Sequence, residues 1–151
     1  MRGGIYRWMV AFCLTAVATG QALAQSVSLA PLKGQVVYLD FWASWCTPCK
    51  ASFPFMNELH QQLASKGLVI LAVNLDEQRA AADRFLQTTP AQFRIAYDPQ
   101  GQTPEQYQVM AMPTAVLIDR KGQVRHVHAG FRERDKDALR AQVEALLKES
   151  P

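Results

Sequence analysis

The chain has 151 residues, of which 49% are apolar and 19% charged, with a formal net charge of +3. That length suits one compact domain, and a charge so close to balance supplies no field to draw the protein to nucleic acid or anionic lipid. No internal repeat or low-complexity tract divides it.

In chain order, Arg2 and Arg7 precede an apolar stretch from Trp8 to about Ala18, and Ala22-Leu23-Ala24 then gives the small-x-small pattern of a secretory cleavage site. This predicts a signal peptide over residues 1–24, export to the periplasm, and a mature domain over residues 25–151. The apolar stretch falls short of the about 20 residues that span a bilayer, with an uncleaved membrane anchor as the alternative. Cys13 lies within it as an apolar residue, so the mature chain carries only Cys46 and Cys49. Loss of Arg2 and Arg7 takes the 16 basic residues to 14, against 13 acidic ones.

Val36 to Trp42 and Leu68 to Leu75 are nearly continuous apolar runs rich in β-branched residues, which predicts central parallel strands covered on both faces. Between them, Phe53, Met56, Leu59 and Leu63 recur at helical spacing, predicting a helix from Pro48 to Lys66 that Pro54 kinks and Gly67 caps. A second helix is expected from Glu77 to Gln87, burying Ala81, Phe85 and Leu86, with Pro90 past its end. Phe93, Ile95 and Tyr97 alternate as a short strand, and Asp98-Pro99-Gln100-Gly101 has turn composition. Thr114 to Asp119 and Val124 to Ala129 form a hairpin across Arg120-Lys121-Gly122, and a last helix from Glu133 to Lys148 buries Leu139, Val143, Leu146 and Leu147. Together they give an α/β domain with one central mixed sheet flanked by helices.

The chemistry concentrates in Cys46-Thr47-Pro48-Cys49, two thiols at helical i, i+3 spacing directly after an apolar strand. A cysteine at a helix N-terminus meets unpaired N–H groups and the positive end of the helix dipole. Such thiols titrate between about 3.5 and 7.5, against about 8.5 for a free cysteine, and the thiolate is the species that attacks disulfides. Cys46 is therefore the expected attacking residue and Cys49, one turn deeper, the resolving one. Pro48 fits the first turn, which does not need its missing N–H. Three other readings of the pair compete. Zinc takes four Cys or His ligands, whereas His60, His126 and His128 are scattered. Haem attachment needs a histidine where Lys50 stands. A structural disulfide closing so short a loop stabilises little. A two-thiolate site for a soft ion such as Cu(I), in a non-catalytic metallochaperone or partner-binding module, is the alternative function.

Asp40 interrupts the strand Val36 to Trp42, and a carboxylate buried there without a partner is driven toward its neutral form. A carboxyl so tuned near Cys49 suits proton transfer to and from that thiol; a hydrogen-bonded, partly exposed Asp40 is the other reading.

The run Asp40-Phe41-Trp42-Ala43-Ser44-Trp45-Cys46-Thr47-Pro48-Cys49-Lys50, with Pro54, Tyr107 and Met112-Pro113-Thr114, resembles the thioredoxin superfamily across nearly the whole mature chain. Export and the helix and strand inserted between Asp76 and Tyr97 make it most similar to the TlpA-like and ResA-like branch. The resemblance implies a thioredoxin fold and thiol-disulfide exchange with cysteine-containing proteins, in cytochrome c maturation or in keeping metal-site cysteines reduced. It implies reduction as the direction, a membrane or periplasmic thiol donor, a monomer, and no cofactor or metal. It also implies a cis Met112-Pro113 peptide facing the dithiol and pairing with the substrate backbone, Gly130 beside the groove, and Glu77 as an active-site glutamate. Glu77 also suits the opening of a helix by its charge alone. Trp45 is expected to cover the dithiol and meet substrate, and Trp42 to pack in the core.

Overall fold

Every residue of β1 (Val36–Trp42) is buried, as is every residue of β2 (Leu68–Asn74), so neither strand has a solvent face and both take the middle of a sheet. The computed structural model describes residues 27–150; the expected signal peptide and Cys13 lie outside the described residues. The five strands run in the order β3-β2-β1-β4-β5, with β3 Arg94–Tyr97, β4 Thr114–Ile118 and β5 Val124–Ala129. β1 pairs parallel with β2, and β2 parallel with β3, while β4 and β5 run antiparallel to their neighbours. The expected mixed sheet is thus present, with its strands where the apolar runs placed them to within a residue or two.

Alternation along β1 sorts the core into two layers. Val36, Tyr38 and Trp42 face α1 (Thr47–Leu63), α2 (Arg79–Thr88) and α4 (Lys136–Lys148), packing with Phe53, Phe55, Met56, Leu59, Leu139, Val143 and Leu146. Val37, Leu39 and Phe41 face the other way, against Leu32, Val69, Val116 and the segment around Tyr107 and Val109. A short helix α3 (Gln102–Gln106) precedes that segment. Its five residues carry no apolar periodicity, so the sequence gives no sign of it; the structure starts it from Asp98, whose Oδ2 accepts the Thr103 N–H at 2.6 Å.

The helices depart from expectation at their ends. α1 gives way to a 3-10 turn over Ala64–Lys66 before Gly67, at φ +100°, stops it. The helix runs through Pro54, which leaves the Lys50 carbonyl without its usual N–H donor. In α2 the fully buried residue is Ala82 rather than Ala81, with Phe85 and Leu86 half-buried against the core. Phe85 closes an aromatic cluster with Trp42 and Phe53, at centroid separations of 4.9 and 5.1 Å, and Phe93 joins Phe53 at 5.4 Å. The insert is thereby anchored to α1 and β1 by rings in tilted and edge-on contact. The last helix opens with a 3-10 turn over Glu133–Asp135.

Arg120, in the β4–β5 turn, binds three carbonyls from distant parts of the chain: Gly34 at 2.9 Å, Leu147 at 3.2 Å and Lys66 at 3.4 Å. It joins the start of β1, the end of α1 and the end of α4. Arg120→Ala is expected to lower the unfolding free energy by about 2 kcal/mol, the order for hydrogen bonds to a charged donor. Urea denaturation reads this directly, and an unchanged midpoint would mean that water serves the three carbonyls as well.

Candidate active site

The strand β1 becomes the helix α1 through a four-residue turn closed by the Cys46 N–H donating to the Ala43 carbonyl at 3.1 Å. Cys46 is the N-cap of α1 in extended conformation, and its Sγ accepts the Cys49 N–H at 3.3 Å. The two cysteines are joined in a disulfide with Cα atoms 5.3 Å apart, so the structure describes the oxidised pair. Cys49 is 0% exposed and Cys46 5% exposed, which leaves Cys46 as the sulfur a partner can reach. Ser52 Oγ donates to the Cys49 carbonyl at 2.9 Å and steadies the first turn.

Trp45 stands out of this turn, 70% exposed, an unusual state for so large an apolar ring. It separates two hollows. One, of about 400 Å³, is lined by Trp45, Leu75, Pro104, Met110 and Met112; the other, of about 340 Å³, by Trp45, Leu75, Asp76, Glu77 and Ala81. Sharing Trp45 and Leu75, they flank the indole as a groove that is mostly apolar on one side and carries the carboxylates of Asp76 and Glu77 on the other. Met110 is 93% exposed at its far edge.

The register carries Met112-Pro113 to the same place. Phe41 pairs with Thr114 across the antiparallel β1–β4 ladder, so Pro113 lies beside the end of β1. The Met112-Pro113 peptide is cis. The Pro113 carbonyl accepts the Gly130 N–H at 2.7 Å, and Thr114 Oγ1 donates to the Ala111 carbonyl at 2.7 Å. Gly130 has φ +81°, a conformation that side chains disfavour, and a Cβ there would meet nothing within 4 Å. Its glycine is therefore required by backbone conformation rather than by crowding from the protein. Tyr107 sits on the opposite sheet face against Phe41, at a centroid distance of 6.2 Å.

Asp40 is 1% exposed, and its Oδ2 has no hydrogen-bond partner among the described residues. Alternation along β1 turns it to the same layer as Tyr38, Trp42 and Cys49. Burial drives its carboxyl well above the ordinary carboxylate range. Tyr38 is pushed up likewise, first by burial and then by the charge of Asp40. The partly exposed, hydrogen-bonded alternative for Asp40 is not what the structure presents.

Glu77 is exposed and lies before the Gln78 N-cap of α2, so it does not open the helix. It reaches the groove instead. Lys50 lines a separate hollow with Phe53, Pro54, Asn57 and Thr88. His60 lies in the last turn of α1, and His126 and His128 on the edge strand, where His128 Nε2 is 3.4 Å from Asp135. No group of three or more His, Cys, Asp or Glu able to hold a metal occurs among the described residues.

One contributor escaped the sequence reading. Asp76, 6% exposed, accepts the Ser44 N–H at 2.9 Å, Ser44 Oγ at 2.8 Å and Asn74 Nδ2 at 2.7 Å. It straps the turn that presents Cys46 to the end of β2. An acid after an apolar strand is an ordinary loop residue in a sequence, and only the parallel register brings it opposite Ser44.

The sequence matches the redoxin family over residues 14–146. The chain belongs to the redoxin family. This redoxin is 35% identical over 125 residues to the thiol-disulfide oxidoreductase ResA of Geobacillus kaustophilus, covering 77% of this chain and 72% of the relative. It is 35% identical over 105 residues to ResA of Oceanobacillus iheyensis, covering 70% and 55%. The chain spans little more than half the length of that relative and of the Bacillus subtilis ResA, 58% of which it covers at 36% identity. Among solved structures, a Chlorobium tepidum protein described as a thiol:disulfide interchange protein DsbE superposes with a TM-score of 0.78 at 52% identity, covering 80% of this chain and 86% of that one. The exposed lipoprotein thioredoxin Etrx1 of Streptococcus pneumoniae gives 0.68 at 32%, covering 78% and 90%. The fold is that of thioredoxin, in its ResA-like form.

Because burial raises the folded-state pKa of Asp40, the native state binds more protons than the unfolded chain from about pH 4 upward. The stability this acid contributes is whole below that pH and declines as pH rises toward the folded-state pKa. Asp40→Asn is expected to be more stable than the wild type at pH 8, with the gap closing toward pH 4, in denaturant titrations of the oxidised protein. A gap independent of pH would contradict this assignment.

Proposed function

We propose that this redoxin is a thiol-disulfide oxidoreductase that reduces disulfides in other proteins. The observation that carries the reading is the Cys46–Cys49 pair at the N-terminus of α1, its first sulfur the more open. The family and its thiol-disulfide oxidoreductase relatives point the same way. In the proposed cycle the Cys46 thiolate attacks one sulfur of a substrate disulfide, forming a mixed disulfide and releasing the other substrate sulfur as thiolate. Cys49 then attacks Cys46 Sγ, closing the intramolecular disulfide and releasing the second substrate thiolate, so two electrons pass to the substrate. A thiol donor in the membrane or periplasm returns two electrons and restores the dithiol.

Asp40 lies in the layer of Cys49, and the burial that raises its pKa makes its ionised carboxylate a strong base: it takes the Cys49 proton as that sulfur attacks, becoming the neutral acid, and returns the proton to Cys49 on reduction. The groove on either side of Trp45 receives the substrate chain. Met112 makes no backbone hydrogen bond among the described residues, which leaves its N–H and carbonyl free to pair with an extended peptide, while Pro113 shapes the floor. Glu77 sits at the mouth beside Trp45, placed to exchange protons with the entering thiols. The substrates are cysteine-containing proteins of the periplasm, in cytochrome c maturation or at metal-binding sites, and the protein acts there as a monomer without cofactor or metal. Export rests on the leader-like residues 1–24; no helix among the described residues is long and apolar enough to cross a membrane.

Cys49→Ser is expected to accumulate mixed disulfides with periplasmic proteins through Cys46, visible as adducts on non-reducing gels that dithiothreitol dissolves, while Cys46→Ser forms none. A variant that traps no protein but whose parent binds Cu(I) would instead favour the metallochaperone.

A further inference from the structure

We propose that Asp76 is a positioning residue that biases the Cys46–Cys49 pair toward its disulfide form and so makes the protein an electron donor. This rests on the reading of the pair as an exchanging dithiol and supplies its direction. Asp76 is fixed on every side: Oδ2 by the Ser44 N–H and Asn74 Nδ2, Oδ1 by Ser44 Oγ, and its own N–H by Asn74 Oδ1 at 3.1 Å. Ser44 is the second residue of the turn that Cys46 closes. The carboxylate therefore grips the inside of the turn leading to the attacking sulfur, and it lines the same hollow as Trp45.

A fixed negative charge there disfavours a second one on Cys46 Sγ, whereas the disulfide is neutral and unaffected. The reduced form is destabilised relative to the oxidised form, the reverse of the arrangement that makes a dithiol protein a strong oxidant. The N-terminus of α1 pulls the other way, favouring the thiolate, so Asp76 is its counterweight. Of the other charged groups nearby, Glu77 lines the same hollow and is an acid, while Lys50, in the first turn of α1, lines a different hollow.

A strap that merely held the turn would need acceptors, not charge, and two variants separate these. Asp76→Asn keeps an acceptor for the Ser44 N–H but removes the charge. Its equilibrium constant against glutathione or dithiothreitol is expected to shift about tenfold toward the dithiol, about 30 mV for a two-electron couple. Cys46 alkylation should move to lower pH with it. Ser44→Ala keeps the charge and the Ser44 N–H bond but strips one donor from Oδ1, and a shift of about two- to threefold toward the disulfide is expected. Opposite shifts of this kind are what the charge predicts. An Asp76→Asn constant within about twofold of wild type, or displaced toward the disulfide, overturns the inference. Where Asp76→Asn does not fold, Ser44→Ala decides alone, and no shift or a shift toward the dithiol overturns it. A wild-type protein that never exchanges in either buffer overturns the oxidoreductase reading and this inference together. Normal wild-type exchange with an unmoved Asp76→Asn overturns only the role of Asp76.

Discussion

The pairing of β1 with a different neighbour on each side is the constraint from which the site follows. On one side Trp42 pairs with Asn74 in the parallel ladder, and the Leu75 N–H donates to the Trp42 carbonyl at 2.9 Å. Two residues further along both chains, Ser44 meets Asp76. On the other side the antiparallel ladder begins at Phe41 and Thr114, which sets Pro113 beside the last residue of β1. The turn from Ala43 to Cys46 thus emerges between an acidic strap and a cis-proline loop, neither of which it could recruit by sequence proximity. A one-residue slip of β1 would exchange the side chains of its two packed faces and scatter these partners, so the fit of the strand between its two core layers is also what fixes the site.

Asp40 works against that burial. Six of the seven β1 residues are apolar, and the seventh is a carboxyl with an oxygen that finds no partner among the described residues. The fold tolerates it because the group sheds its charge rather than its burial, which reduces the penalty from that of an unpaired ion to that of a polar neutral group. A local rule broken in a strand buried along its whole length, on the face that packs against α1, is the kind of conflict that functional sites show and structural positions rarely do.

Much of this architecture was legible in the chain itself. β1 and β2 were readable because a strand buried on both faces is written as an unbroken apolar run, and α1 because its buried residues repeat at helical spacing. α3 was not readable: five residues starting from an aspartate side chain leave no periodic trace. The choice of Ala82 over Ala81 was equally hidden, since one residue rotates a helix face by about 100° and both are alanine. At the site, Cys46 and Cys49 announce themselves by spacing, and Asp40 by interrupting a strand. Asp76 does neither, for its significance lies in the register of two strands whose residues are more than thirty positions apart. Glu77 was placed at the site on resemblance, and the structure moves it off the helix N-terminus that gave it an alternative explanation.

The insert between β2 and β3 ties these observations together. Its packing side is aromatic: Phe85 lies against Trp42 and Phe53, and Arg79 stacks over Tyr97 at 3.6 Å. Its leading edge is acidic, with Asp76 under the turn and Glu77 at the rim of the groove. Trp42 is the last residue of the strand that holds Asp40 and the first before the turn that presents Cys46, so the rings that seat the insert also set where its acids fall relative to the sulfurs. An insertion into a thioredoxin sheet need not touch a substrate to alter the chemistry. On the role proposed for Asp76, it is enough that it docks on the strand preceding the dithiol, because the register of that strand sets Asp76 against the turn that carries the first sulfur.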